Sequence, residues 1–117
     1  MSNKEREVLY YQTVQGDRPF RDWRKSLSDI KARQAVDARI TRFMAGNFGD
    51  SEPIGQGASE SRIDLGPGWR IYYGVDGDKV VLLYGGDKST QAGDINTALA
   101  YWNDYRTRSK VGRKKKL

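Results

Sequence analysis

The chain holds 117 residues, 37% hydrophobic and 31% charged, which fits one globular domain and leaves no room for two ordinary ones. With no cysteine and no histidine it excludes disulfides, thiolate or imidazole zinc sites, cysteine nucleophiles and serine-histidine triads. Of the 21 basic residues behind the formal charge of +6, 5 stand in the last eight positions, so the preceding 109 residues are nearly balanced, with 16 basic against 15 acidic groups.

Val8–Thr13 (VLYYQT) is rich in β-branched and aromatic residues and is closed by Gly16-Asp17, which predicts a first strand. Pro19 suits the first turn of a helix, and Phe20, Trp23 and Leu27 recur at helical spacing, so a short helix is expected to run to about Leu27. Ser28 or Asp29 can cap a second helix from Ile30 to about Ala45, whose stripe is Val36, Ile40, Phe43 and Met44. On that helix Lys31, Arg39 and Arg42 fall in one arc away from the stripe, a candidate ridge for an RNA backbone as well as an ordinary solvated face. Residues 47–57 are expected to form a loop. Three strands follow, Ser59–Leu65, Trp69–Val75 and Lys79–Tyr84, joined by Gly66-Pro67-Gly68 and Asp76-Gly77-Asp78 as an antiparallel meander. Alternation assigns Ile63, Leu65, Ile71, Tyr73 and Val75 to one face and Arg62, Asp64, Arg70 and Tyr72 to a polar face. The third strand, apolar on both faces, is expected at the centre of the sheet. A last helix, about Ala92 to Arg106, is expected to cover one sheet face with Ile95, Ala98, Leu99 and Trp102.

The expected organisation is a single domain over residues 1–108 with a disordered basic tail at 109–117, able to add a salt-screened phosphate attraction. No apolar run approaches the ~18 residues of a membrane span. The polar start, Met1–Arg6, precedes no hydrophobic segment, so no signal peptide, anchor or membrane partner is expected and the expected setting is the bacterial cytoplasm.

Arg62 and Arg70 on neighbouring strands, with Lys88 in the loop after the next strand, form the candidate catalytic constellation. Such a cluster is either a mixed-charge surface balanced by Asp64 and Asp87 or a site for phosphate or RNA. Cleavage by attack of a 2′-hydroxyl on the adjacent phosphorus needs a proton acceptor, a cationic environment for the crowded phosphorus and a proton for the departing 5′ oxygen. Arginine supplies fixed charge and bidentate contacts, and a lysine crowded by cations can act as the base. Tyr72 is a candidate for stacking on a base. The acids are too scattered to propose a metal site, and no glycine-rich cofactor fingerprint is present.

Four blocks carry a resemblance: Phe20-Arg21-Asp22-Trp23; Gly46-Asn47-Phe48-Gly49-Asp50; RIDLGPGWRIY from Arg62 to Tyr72; and LLYGGDKSTQ from Leu82 to Gln91, followed by Asp94-Ile95. In order and spacing, over about Val8 to Arg106, they resemble the HigB-like addiction-module killer proteins of the RelE/ParE toxin superfamily. The resemblance implies an α+β, RelE-like fold: a twisted antiparallel sheet of about four strands with two N-terminal helices and a C-terminal helix packed on it. It implies the toxin of a type II toxin-antitoxin module, a ribosome-dependent mRNA endonuclease that works without a metal or cofactor and arrests translation. Arg62, Arg70 and Lys88 match the family's basic positions. The implied partners are the ribosome with its mRNA and a cognate antitoxin, commonly a helix-turn-helix protein, with operator DNA reached only through the antitoxin complex. Tyr101 or Tyr105 would stand in for the general acid that related toxins place near the carboxy terminus. Trp69 replaces a commoner tyrosine, and Ala58 and Ser61 replace larger aliphatics, which is expected to thin the sheet there. The ParE-like branch, which poisons gyrase by contact, and a non-toxic binding member are the alternatives.

Overall fold

The computed structural model describes the backbone of residues 5–115 and the side chains through Ser109. The chain is α+β. In order it forms β1 (Glu7–Tyr10), α1 (Pro19–Ser26), α2 (Ile30–Met44), β2 (Asp50–Gly55), β3 (Ala58–Ile63), β4 (Trp69–Asp76), β5 (Lys79–Asp87), a 3-10 turn (Lys88–Thr90) and α3 (Gln91–Lys115). The five strands make one sheet in the order β1-β5-β4-β3-β2. β1 runs parallel to β5, and the other pairs are antiparallel.

The sheet therefore departs from the expected four-stranded antiparallel meander. The extra strand is β2, made from Asp-Ser-Glu-Pro-Ile-Gly, a composition that reads as loop. It lies on the sheet edge, where Pro53 can lack an N–H without breaking an interior ladder. After β1 the chain crosses through both helices to β2 on the opposite edge and returns through β3 and β4 to β5, which then lies parallel to β1; parallel neighbours need such a long connection. The apolar strand β5 is interior and has buried residues on both faces, as its composition predicts.

Helices cover both faces. α1 and α2 pack against Ile63, Ile71, Tyr73, Val80 and Leu82, with Phe20, Val36 and Phe43 at the centre of that core. On the other face α3 lays Ala98 and Trp102 over Ala58, Tyr72, Val81 and Leu83. Pro19 sits in the first turn of α1, and the Asp29 side chain caps α2 by accepting from the Lys31 N–H, as the sequence predicts. Leu65 and Val75, expected in the core, are 39% and 37% exposed, because β3 ends at Ile63 and Val75 stands beside the β4–β5 turn.

Two glycines let α1 and α3 approach the sheet closely. A Cβ on Gly85 would lie 2.1 Å from the Trp23 ring, and one on Gly74 would lie 2.4 Å from the Trp102 ring. The indoles occupy the space that a side chain would fill. α3 is pinned further by Trp102 Nε1 and Arg106 Nη1, which both donate to the Gln56 carbonyl at 2.7 Å. Gln56, in the β2–β3 turn, is the non-glycine residue with positive φ (56°) among the described residues, a conformation these two donors help to hold. α3 also extends beyond the expected end near Arg106. The tail expected from residue 109 thus has its backbone in α3 as far as Lys115, while its side chains from Lys110 onward and residues 116–117 lie outside the described residues.

Candidate functional site

Strand register builds the site. Arg62 and Arg70 are direct partners across β3 and β4, and Arg70 in turn faces Gly86 of β5. Asp50 of β2 faces Arg62 on the same rung. The next rung carries Glu52, Glu60, Tyr72 and Tyr84. Both rungs project toward the α3 side of the sheet, since Ala58 and Tyr72 belong to the core beneath that helix. α3 begins only at Gln91, so its first turn stands over the second rung and leaves Arg62 and Arg70 half-buried at the rim.

Two arginines directly opposite repel each other unless an anion compensates. Arg62 has its compensation: its Nη2 donates to Asp50 at 2.9 Å and to Glu52 at 3.1 Å. The Arg62 hydrogen bond holds the Asp50 carboxyl below the usual carboxylate range. Arg70 has no carboxylate partner among the described residues, only a long 3.4 Å contact from Nη1 to the Gly68 carbonyl. Lys88 is exposed beside it, and a Cβ built on Gly68 would lie 3.5 Å from both Arg70 Nη1 and Lys88 Cβ. Asp87, the compensator expected near Lys88, is engaged in capping the 3-10 turn; hydrogen bonds from Ser89 hold its pKa below the ordinary value.

The buried Nε atoms of Arg62 and Arg70 and the Tyr72 hydroxyl have no hydrogen-bond partner. All three are on residues of these two rungs, and buried donors without acceptors are costly. An oxygen-rich anion between the arginines would satisfy them.

The structure thus brings Arg62, Arg70 and Lys88 together and separates them from the other expected residues. Tyr72 is fully buried under α3, so it has no free ring face to stack on a base; the polar face expected to be open is covered. Burial, with Glu60 and Asp94 nearby, pushes its hydroxyl pKa well above the ordinary tyrosine value. Arg39 is not a ridge residue. Its Nη1 donates to Ser61 Oγ at 2.7 Å and to the Arg62 carbonyl at 2.8 Å, and burial followed by nearby Arg42 pulls its pKa down. Ser61, expected to weaken the sheet, is fully buried with its hydroxyl also donating to the Phe48 carbonyl at 2.8 Å. Lys31 and Arg42 are exposed on α2, on the opposite side of the sheet from the arginine rung.

Neither expected general acid reaches the cations. The Tyr105 hydroxyl donates to Asp76 at 2.8 Å. Asp76 is six residues along β4 from Arg70, or roughly 20 Å. Tyr101 packs against Tyr11 and Tyr84. Sequence reasoning passed over Glu60, only 3% exposed, whose two carboxylate oxygens each accept from Gln91 Nε2 at 2.9 Å. The available signal was its place in the alternation of β3, inward-facing and two residues before Arg62.

Fold and site together define an α+β domain with helices on both faces of a mixed sheet and a half-buried arginine pair at its rim. Over 80 residues, spanning 68% of this chain and 81% of the other, it is 45% identical to an uncharacterized protein of Haemophilus influenzae. The chain belongs to the same family as that protein. No family model matches it, and no solved structure does. Among the described residues no helix is long and apolar enough to cross a membrane, and no group of three or more acidic residues gathers as metal ligands would.

Proposed function

We propose that this domain is a RelE-like, HigB-like toxin of a type II toxin-antitoxin module that cleaves ribosome-bound mRNA without a metal or cofactor. The observation that carries this reading is the Arg62–Arg70 rung, in which a guanidinium without a carboxylate partner faces a second arginine beside Lys88. Arg70 and Arg62 take the phosphoryl oxygens as charge builds on them in the transition state, and Lys88, the base of the sequence reading, is assigned here instead to protonate the departing 5′ oxygen. Asp50 and Glu52 hold Arg62 in position until RNA competes for it. Exposed Lys31 and Arg42 lie far from the reaction and contribute only sequence-independent contacts to nucleic acid. A cognate helix-turn-helix antitoxin restrains the toxin in a bacterial cytoplasm and carries it to operator DNA.

Expression of the chain in growing bacteria tests the reading. Growth arrest with new mRNA 5′ ends inside translated coding regions is the expected result. Growth arrest with intact mRNA and accumulating gyrase–DNA complexes would establish the gyrase-poison alternative instead.

A further inference from the structure

Attack by a 2′-hydroxyl needs an acceptor for its proton, and the arginine rung supplies none, since guanidinium remains protonated. The carboxylates around the rung are mostly engaged. Asp50 and Glu52 pair with Arg62, Asp87 accepts from Ser89, and Asp94 accepts from Thr90. Glu60 differs from these. Among the described residues it is the charged side chain that the protein buries, and, as at Asp87 and Asp94, the donors to its carboxylate are neutral, here the Gln91 amide.

We infer that Glu60 is the general base of the cleavage reaction, positioned by Gln91 and set one rung behind the arginines that hold the scissile phosphate. The inference rests on the endonuclease reading above and assigns the proton acceptor that reading leaves open. Glu60 and Arg62 are two apart on one face of β3, as Tyr72 and Arg70 are on β4, and the two pairs are in register. A phosphate bridging Arg62 and Arg70 therefore sits about one strand repeat, ~7 Å between alternate residues, from Glu60, so the neighbouring ribose approaches the carboxylate from the rim, at the edge of the first turn of α3. The 2′-hydroxyl displaces the amide of half-buried Gln91 and passes its proton to Glu60. The 2′ oxygen bonds to phosphorus while the bond to the 5′ oxygen breaks, and that oxygen takes a proton from Lys88. The products are a 2′,3′-cyclic phosphate and a 5′-hydroxyl end, after which Glu60 releases its proton to solvent and Lys88 regains one.

The ionisable groups facing Glu60 are Glu52 from β2, Arg62 along β3, Arg70 and Tyr72 from β4, and Asp94 from α3, of which the arginines stay protonated throughout, so a pH profile reports on the cluster and not on Glu60 alone. The test therefore compares variants across pH rather than at one value. Single-turnover cleavage of mRNA on purified ribosomes is measured between pH 5 and 9 for the wild type, Glu60→Gln and Glu60→Asp, alongside melting and ribosome binding. Glu60→Gln is expected to lose about 10²-fold or more in rate at every pH measured while still binding ribosomes. Glu60→Asp, which keeps a carboxylate, should retain a larger share of the rate than Glu60→Gln. Unchanged cleavage by Glu60→Gln, or a loss equal in both variants with no change of profile, overturns the assignment. If neither variant folds, Gln91→Ala, which removes the donor that positions Glu60, is measured in their place, and a wild-type rate there overturns the assignment. A wild type that cleaves no mRNA at all instead removes the endonuclease reading on which the assignment stands.

Discussion

Tyr11 ties the chain just after β1 to the last helix. Its hydroxyl donates to Asp104 Oδ2 at 2.6 Å, and Arg108, whose guanidinium also pairs with Asp104, lies over its ring. Burial, reinforced by the bond to Asp104, pushes its pKa from 10.0 up to about 12. A group whose folded pKa is raised contributes stability that is whole below the unfolded pKa and disappears as pH climbs through the folded one. Tyr11→Phe should therefore melt below the wild type at pH 9, with the gap closing between pH 10 and 12. A gap that stays constant across that range would contradict the assigned role. Arg39 and Ser61 show a similar dependence on partners. Spacing places Arg39 on the polar arc of α2, yet nothing in spacing reports that the Arg62 carbonyl and the Ser61 hydroxyl lie within its reach. Arginine has a long apolar stem, so its guanidinium can turn back toward the sheet from a position that reads as solvated.

Among the elements, α1 and α3 depend on two glycine–indole contacts. Replacing Gly85 by alanine drives a methyl group into the Trp23 ring, which must move out of the core. The expected cost is about 1–3 kcal/mol or more, read as a lowered melting temperature. Gly93→Ala is the matched control: its added Cβ meets nothing within 4 Å and it lies within α3, so it should be neutral or stabilising by up to about 1 kcal/mol. Equal melting temperatures for the two variants would show that the close approach is unimportant. The strongly patterned elements were legible in the sequence: α1, α2, β3, β4, β5 and the start of α3 lie close to their expected spans. β2 was hidden because Pro53 and Gly55 carry loop chemistry, and an edge strand tolerates them. The parallel β1–β5 pairing was hidden because it joins residues about 70 apart, as in Glu7 with Lys79, and local alternation says nothing about distant partners. Alternation did group Arg62, Arg70 and Tyr72 on one face. It could not show that α3 would close over Tyr72 and stop short of the arginines.

On the scale of the molecule, helices cover both faces of the sheet, and the arginine rung lies at one rim, where the first turn of α3 stops covering it. The core buries Glu60 and leaves Arg70 half-exposed, so a carboxylate and a fixed positive charge occupy adjoining rungs of one sheet. Arg70 forms no ion pair among the described residues and fills no part of either core, so truncating it should leave the fold intact to within roughly 1 kcal/mol. The most direct measurement is single-turnover cleavage of ribosome-bound mRNA by Arg70→Ala and the wild type, with thermal melting of both. Arg70→Ala should melt with the wild type and cleave about 10²-fold or more slowly, as when a preorganised transition-state donor is removed. A folded Arg70→Ala protein that cleaves at the wild-type rate would show that the arginine rung is an ordinary charged surface.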